Sequence, residues 1–144
     1  MSHMESHWSD DLRFHKEALV VDAHNDTIIA HKRLKIGLGV KTDKNQLDLP
    51  RMKTDGIDVT FFVVDVTKAL KSHLTYALDA FGFFYKELES INGEISIAFT
   101  LEDIYKITEK GGIAAILAVE NSDVLEGSLN VLKILHKIGI RSIG

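Results

Sequence analysis

Three residues that could do chemistry stand at alternate positions within Leu19-Val20-Val21-Asp22-Ala23-His24-Asn25-Asp26-Thr27: Asp22, His24 and Asp26. They close a short apolar, β-branched run that reads as a buried strand, an environment that normally excludes such side chains. Alternate strand residues point the same way, so the three are expected on one face, with Leu19 and Val21 on the other. An imidazole and a carboxylate two apart on a strand face suit a divalent metal, which takes a neutral nitrogen and hard oxygens together. A plainer reading also stands: an Asp after a strand caps a turn or helix, and the adjacent His is its hydrogen-bond partner. A second, distant ligand has to decide.

The elements that would position such a ligand follow in order. Ser9-Asp10-Asp11 caps a short helix through Glu17, with acids at its positive end and His15 as a surface or packing residue. Residues 28–46 read as a long loop carrying the basic cluster His31-Lys32-Arg33 and broken by Gly37 and Gly39. His31 there is either solvated or turned toward a substrate. Asp48-Leu49-Pro50-Arg51-Met52-Lys53 opens a short helix with proline in its first turn, and Gly56 ends it. Residues 59–66 form an apolar strand buried on both faces, with Asp65 near its end serving the following turn. Helical spacing of Leu74, Leu78, Phe81, Phe84, Tyr85 and Leu88 predicts a long helix over 70–91, its aromatics in the core and His73 near its exposed start. Asn92-Gly93 turns into a third strand at Ile95-Ser96-Ile97-Ala98. Thr100-Leu101-Glu102-Asp103 has the spacing of a helix-opening capping motif, and Gly111-Gly112 closes that helix.

Ile113-Ala114-Ala115-Ile116-Leu117-Ala118-Val119-Glu120 is a fourth apolar strand, again ending in an acid. A helix over 125–137 follows, with Leu129, Leu132 and Leu135 among its apolar positions and His136 at its C-terminus. Gly139 ends it, and Ile140-Arg141-Ser142-Ile143-Gly144 starts a fifth strand. Strands alternating with helices give a parallel sheet, whose chemistry gathers at the C-terminal strand ends. Asp26 and Glu120 both lie there, 120 − 26 = 94 positions apart. Two carboxylates and an imidazole on a water-poor rim repel and desolvate one another unless a cation intervenes, which favours the metal reading.

Composition narrows the classes. The chain has 144 residues, 45% hydrophobic and 26% charged, enough for one domain with a core. A formal charge of -4 gives no broad basic field, so nucleic acid is not an expected partner. Without cysteine there is no disulfide framework and no thiolate site, so any metal is held by His and carboxylate. No apolar run has the length of a membrane span, and Met1-Ser2-His3-Met4-Glu5-Ser6-His7 lacks a signal-peptide pattern, so a cytoplasmic protein is expected. Ser2-His3-Met4 resembles a cloning scar. Residues 1–8, with His3 and His7, are therefore expected to be a tag or disordered tail ahead of one unit over 9–144.

Four landmarks in order, Val21-Asp22-Ala23-His24-Asn25-Asp26-Thr27, Gln46-Leu47-Asp48-Leu49-Pro50-Arg51-Met52, the strand ending in Glu120, and residues 129–143, resemble the membrane (renal) dipeptidase family of zinc peptidases in the amidohydrolase superfamily. The resemblance implies an α/β fold, a (β/α)8 barrel of the metallo-dependent hydrolase type, of which this chain supplies the N-terminal part with about five strands. A full barrel takes about 250 residues, so apolar interior and sheet edges are left to be covered by the rest of the barrel, another chain or a homo-oligomer. It also implies two zinc ions, with His24 and Asp26 on the first and Glu120 bridging both, Asp22 lying behind them or serving structure, and a bridging hydroxide that cleaves dipeptides. The family's remaining zinc histidines, its substrate-contacting histidine and its catalytic aspartate come from later strands, so no catalytic residue is assigned here. Two departures stand out: Ala23 where the family often has glycine, and Asn121-Ser122 where it usually has a glycine pair. The alternatives are another hydrolase of the superfamily, acting on a lactone, amide or phosphoester, and a catalytically silent fragment.

Overall fold

The computed structural model describes residues 2–69 and 71–144, with side chains from Asp10 onward. Five strands, β1 (Val21–Asn25), β2 (Val59–Asp65), β3 (Ile95–Ile97), β4 (Ile113–Glu120) and β5 (Ile140–Ile143), form one parallel sheet. Six helices, α1 (Ser2–Glu17), α2 (Thr27–Leu34), α3 (Leu49–Thr54), α4 (His73–Ser90), α5 (Leu101–Thr108) and α6 (Leu129–Lys137), connect or flank the strands. The repeated strand, helix, parallel strand order is the wall of a (β/α)8 barrel, of which this chain forms part. Among the described residues no helix is long and apolar enough to cross a membrane.

β2 and β4 are the centre of the sheet, paired without a break from Val59↔Ala114 to Asp65↔Glu120. Both are apolar on both faces because helices cover one side and the barrel interior the other, so Phe62, Val64, Leu117 and Val119 are buried. β3 does not lie between them. It pairs with Ile113, Ala114 and Ala115, and β5 pairs with Leu117, Ala118 and Val119. Since β2 occupies one edge of β4 along both stretches, β3 and β5 share the other edge end to end. A three-residue strand is too short to fill that edge, so β5 takes its upper half.

Several expectations need correction. β1 is an edge strand paired only with β2 among the described residues, and Val21 remains 49% exposed rather than buried. The segment 28–46 is not all loop: its first part is α2, held to the core by Ile28 and His31 one turn apart. His31 is neither solvated nor turned to a ligand. It is 1% exposed, and its Nδ1 and Nε2 meet the carbonyl oxygens of Ile36 and Leu47 at 2.9 and 3.1 Å. α1 begins ahead of the expected Ser9 cap, while His15 Nε2 contacts the Asp55 carbonyl at 2.8 Å.

α4 starts at His73, capped by the Ser72 hydroxyl, which accepts from Thr75 N; the expected start at Leu70 lies outside the described residues. Its buried seam is Ala77, Ala80, Phe81 and Phe84, whereas Leu78 and Tyr85 are exposed. Small alanines let this helix approach the sheet, and Phe84 packs on Phe62 with centroids 4.5 Å apart. The helix expected over 125–137 is two pieces: a 3-10 turn (Ser122–Leu125), then left-handed Glu126 and Gly127, then α6. Only Leu135 of its expected apolar positions is buried; Leu129 is 73% exposed and Leu132 is also exposed. Glu126 uses its bend to accept from the Ser72 hydroxyl (2.7 Å) and Leu74 N (3.2 Å), bonds that hold its carboxyl below the usual range.

The expected caps of α3 and α5 are present. Thr100 and Asp103 form a reciprocal capping box, with Asp103 held below its ordinary pKa by the Thr100 hydroxyl. Asp48 caps α3 by accepting from Arg51 N, and the Arg51 guanidinium returns to its carboxylate at 2.9 Å. Asp48 is fully buried, so removing its carboxylate takes the partner from the Arg51 guanidinium and from two backbone amides, Thr42 N and Arg51 N, at once. Asp48→Ala is expected to lower stability by about 3 kcal/mol, read as a loss of denaturation midpoint without a change of slope.

Candidate metal centre

The site is assembled at the C-terminal ends of β1 and β4. β1 carries a bulge: three steps from Asp22 to Asn25 match two steps from Thr60 to Phe62 on β2. Strict alternation therefore fails at the point where chemistry was expected. Asp22 Oδ2 accepts from the Thr60 hydroxyl (3.3 Å), and Asn25 Nδ2 donates to that hydroxyl's oxygen, Thr60 Oγ1 (3.1 Å), although the parities of Asp22 and Asn25 differ. A bulge re-aims side chains in this way, and here it leaves Asp22 bonded to the sheet. Asp22 Oδ1 also accepts from His24 N at 3.2 Å.

His24, Asp26 and Glu120 come together as predicted. Each offers one ligand atom, and these atoms lie within 4.8 Å of one another. His24 Nε2 is 3.4 Å from Glu120 Oε2 and 3.7 Å from Asp26 Oδ2. Asp26 stands at the N-cap position of α2, yet its side chain makes no capping bond. Asn25 performs that service instead, its Oδ1 accepting from Thr27 N at 2.8 Å, which leaves the Asp26 carboxylate free for the rim. The plainer reading of the triplet thus assigned the cap to the wrong neighbour. Asn25 is 4% exposed and Thr60 fully buried. The signal for both was slight: one amide between two charged residues, and one hydroxyl in an apolar strand.

The donor set fits a divalent metal. Ligands about 2.0–2.1 Å from a tetrahedral ion stand about 3.3–3.4 Å apart, close to the separations from Nε2. Two carboxylates at this spacing repel by about 1 kcal/mol even in water, and a cation reverses the sign. The rim is not water-poor, however: the three side chains are 55%, 58% and 48% exposed. Asp65, paired in register with Glu120, serves the turn as expected. Its two oxygens accept from Thr67 N and the Thr67 hydroxyl, both at 2.8 Å, and the hydroxyl bond chiefly holds its carboxyl below the usual value. His73 and His136 lie on α4 and α6, outside the cluster.

Beside the triad opens a cleft of about 480 Å3, lined by His24, Asp26, Ala30, Asn45, Gln46 and Leu47 among others. Its far wall is formed by residues 45–47. Nothing in the residue types of Asn45 and Gln46 marks them as site residues; only their position before Asp48-Leu49-Pro50-Arg51 does.

A parallel barrel wall with a His and carboxylate cluster at its C-terminal strand ends defines a metal-dependent hydrolase scaffold. The family model described as membrane dipeptidase, peptidase family M19, matches residues 10–144, and the chain belongs to that family. Among solved structures it is similar to the dipeptidase AC, a metallo peptidase of family M19, with TM-score 0.76, 24% identity, and cover of 87% of this chain and 41% of that one. It is similar also to a metallo peptidase from Rhodobacter sphaeroides bound to a phosphinate mimic of the dipeptide L-Ala-D-Ala, with TM-score 0.76, 21% identity, and cover of 87% and 44%. The probable dipeptidase PvdM from Pseudomonas aeruginosa aligns with TM-score 0.66 and 15% identity, over 97% of this chain and 37% of that one. No curated protein matches the sequence significantly. The chain thus spans about two-fifths of the length of the solved structures it resembles.

Directly after Glu120 the chain turns at positive φ: Asn121 has φ 81°. This is the first of the two positions where the resemblance leads one to expect glycine. Asn tolerates it and adds a bond, its Oδ1 accepting from Asp123 N at 2.9 Å. Asn121→Gly should stay within about 0.5 kcal/mol of the parent, whereas Asn121→Val should lose about 2–3 kcal/mol from strain and the lost cap. Chemical denaturation of the two variants side by side measures the difference.

Proposed function

We propose that this chain supplies His24, Asp26 and Glu120 to the zinc centre of a dipeptidase, with Glu120 shared between two ions, and that the adjoining cleft receives a dipeptide. One observation carries the reading: three ligand-type atoms from segments 94 positions apart, by 120 − 26, lie within 4.8 Å of one another. Membership of the membrane dipeptidase family and the dipeptide mimic in the Rhodobacter sphaeroides relative support dipeptides as the substrate class.

The chemistry supplied by bound zinc is Lewis acidity, toward water and toward a carbonyl oxygen. The chain's own residues prepare for it. His24 turns Nε2 to the centre, Asp26 is released from capping by Asn25, and Glu120 reaches in from the end of a buried strand. The polar wall of the cleft then orients the peptide beside them. Because the three ligands are half-exposed, the remaining rim of the barrel is needed to exclude water and complete the ligand set. These 144 residues by themselves are accordingly proposed to bind metal without turning over dipeptides.

Glu120→Gln is expected to remove metal and activity together in the protein that carries this segment within a complete barrel. Elemental analysis showing both ions retained would disprove the shared-ligand role. A panel of L,L and L,D dipeptides tests the substrate class, and no turnover on any of them would favour another hydrolase of the superfamily.

A further inference from the structure

The cleft's far wall is held far more firmly than a surface loop requires. Asp48 accepts from Thr42 N (3.2 Å) while the Arg51 guanidinium donates to Thr42 O, so both backbone groups of Thr42 are locked by one ion pair. Arg51 Nη1 also donates to Asn45 O at 2.8 Å. Inside this frame, Asn45 Nδ2 donates to Leu47 O (3.0 Å) and Asn45 Oδ1 accepts from Gln46 N (2.9 Å). His31 ties the same segment to α2 at Ile36 and Leu47, and Glu87 of α4 accepts from Leu38 N at 2.8 Å. Of the carboxylate and carboxamide side chains that line the cleft outside the triad, Asp22, Asn25 and Asn45 are engaged in bonds within the fold. Gln46 also lines the cleft and is exposed, and its carboxamide makes no hydrogen bond among the described residues.

We infer that Gln46 is a substrate-contacting residue that hydrogen-bonds the main-chain polar groups of the dipeptide, and that Arg51 is the positioning residue that holds it there. This rests on the dipeptidase reading and adds to it a residue outside the metal cluster. A carboxamide both donates and accepts, so it matches a peptide N–H, a carbonyl or a terminal carboxylate without regard to the substrate's side chains. Holding its backbone in place beforehand removes an ordering cost from binding. Arg51 reaches two carbonyls and a carboxylate with a planar fork, which a lysine ammonium cannot reproduce.

The test uses the zinc-loaded protein with its complete barrel, L-Ala-D-Ala and L-Ala-L-Ala as probes, and Lys110→Ala as a control on the opposite end of the sheet. Gln46→Ala should raise KM about three- to tenfold for both dipeptides, the worth of one neutral hydrogen bond, with kcat and zinc content near parental values. Arg51→Lys should raise KM in the same direction and also speed amide exchange in residues 36–47, which Gln46→Ala should leave slow. Parental KM in Gln46→Ala, with zinc and turnover intact, overturns the assignment. A KM rise in Gln46→Ala but parental KM in Arg51→Lys with faster exchange overturns the positioning role of Arg51. Absence of dipeptide turnover in the parent removes the dipeptidase reading itself, and the role of Gln46 with it.

Discussion

β2 is the spacer on which the candidate metal centre depends. β1 and β4 do not touch along their ladders; each pairs with β2, so their backbones stand two strand spacings apart, about 10 Å. Their ligand atoms nevertheless lie within 4.8 Å. The remaining distance is closed by the length of Glu120, the bulge in β1 and the free carboxylate of Asp26. The seven-residue register from Val59↔Ala114 to Asp65↔Glu120 sets the height of the acid on the rim. A slip of one residue would send Glu120 to the other face of the sheet.

Around that spacer the molecule divides rigid structure from open chemistry. Where polar groups are structural they are buried and satisfied: Asp48, Thr60, Asn25 and His31 all have partners, and no buried side-chain polar atom among the described residues lacks one. Where they are chemical they are half-exposed and incompletely paired, as in His24, Asp26 and Glu120. This contrast follows from desolvation. A buried polar group without a partner costs a few kcal/mol, so the fold tolerates unsatisfied groups only where solvent or a ligand can reach them.

The flanking helices illustrate the same economy at lower stakes. Ser72 and Glu126 tie α4 to the turn after β4, and Arg141 links β5 to the β3–α5 connection by donating to Phe99 O while lying 5.3 Å over its ring. Short strand β3 would leave the upper edge of β4 unpaired, and β5 occupies it.

Much was legible in the order of residues alone. The doubly apolar strands β2 and β4, the caps at Asp48 and Thr100, and the clustering of His24, Asp26 and Glu120 as candidate ligands follow from patterns whose physics is local: side-chain period, capping spacing, and an acid ending a buried strand. What failed locally were the readings that depend on neighbours remote in sequence. The exposure of Val21, the split before α6, the seam of α4 and the burial of His31 against Leu47 are decided by what packs alongside, beyond the local pattern of each segment. Across the bulge between Asp22 and Asn25, Thr60, 38 positions away from Asp22, bonds both side chains, a partner no local pattern reveals. Sequence determined which side chains could ligate a cation and at which strand ends; only the tertiary pairing through β2 decided that three of them meet, because proximity across a sheet is a property of register and not of spacing along the chain.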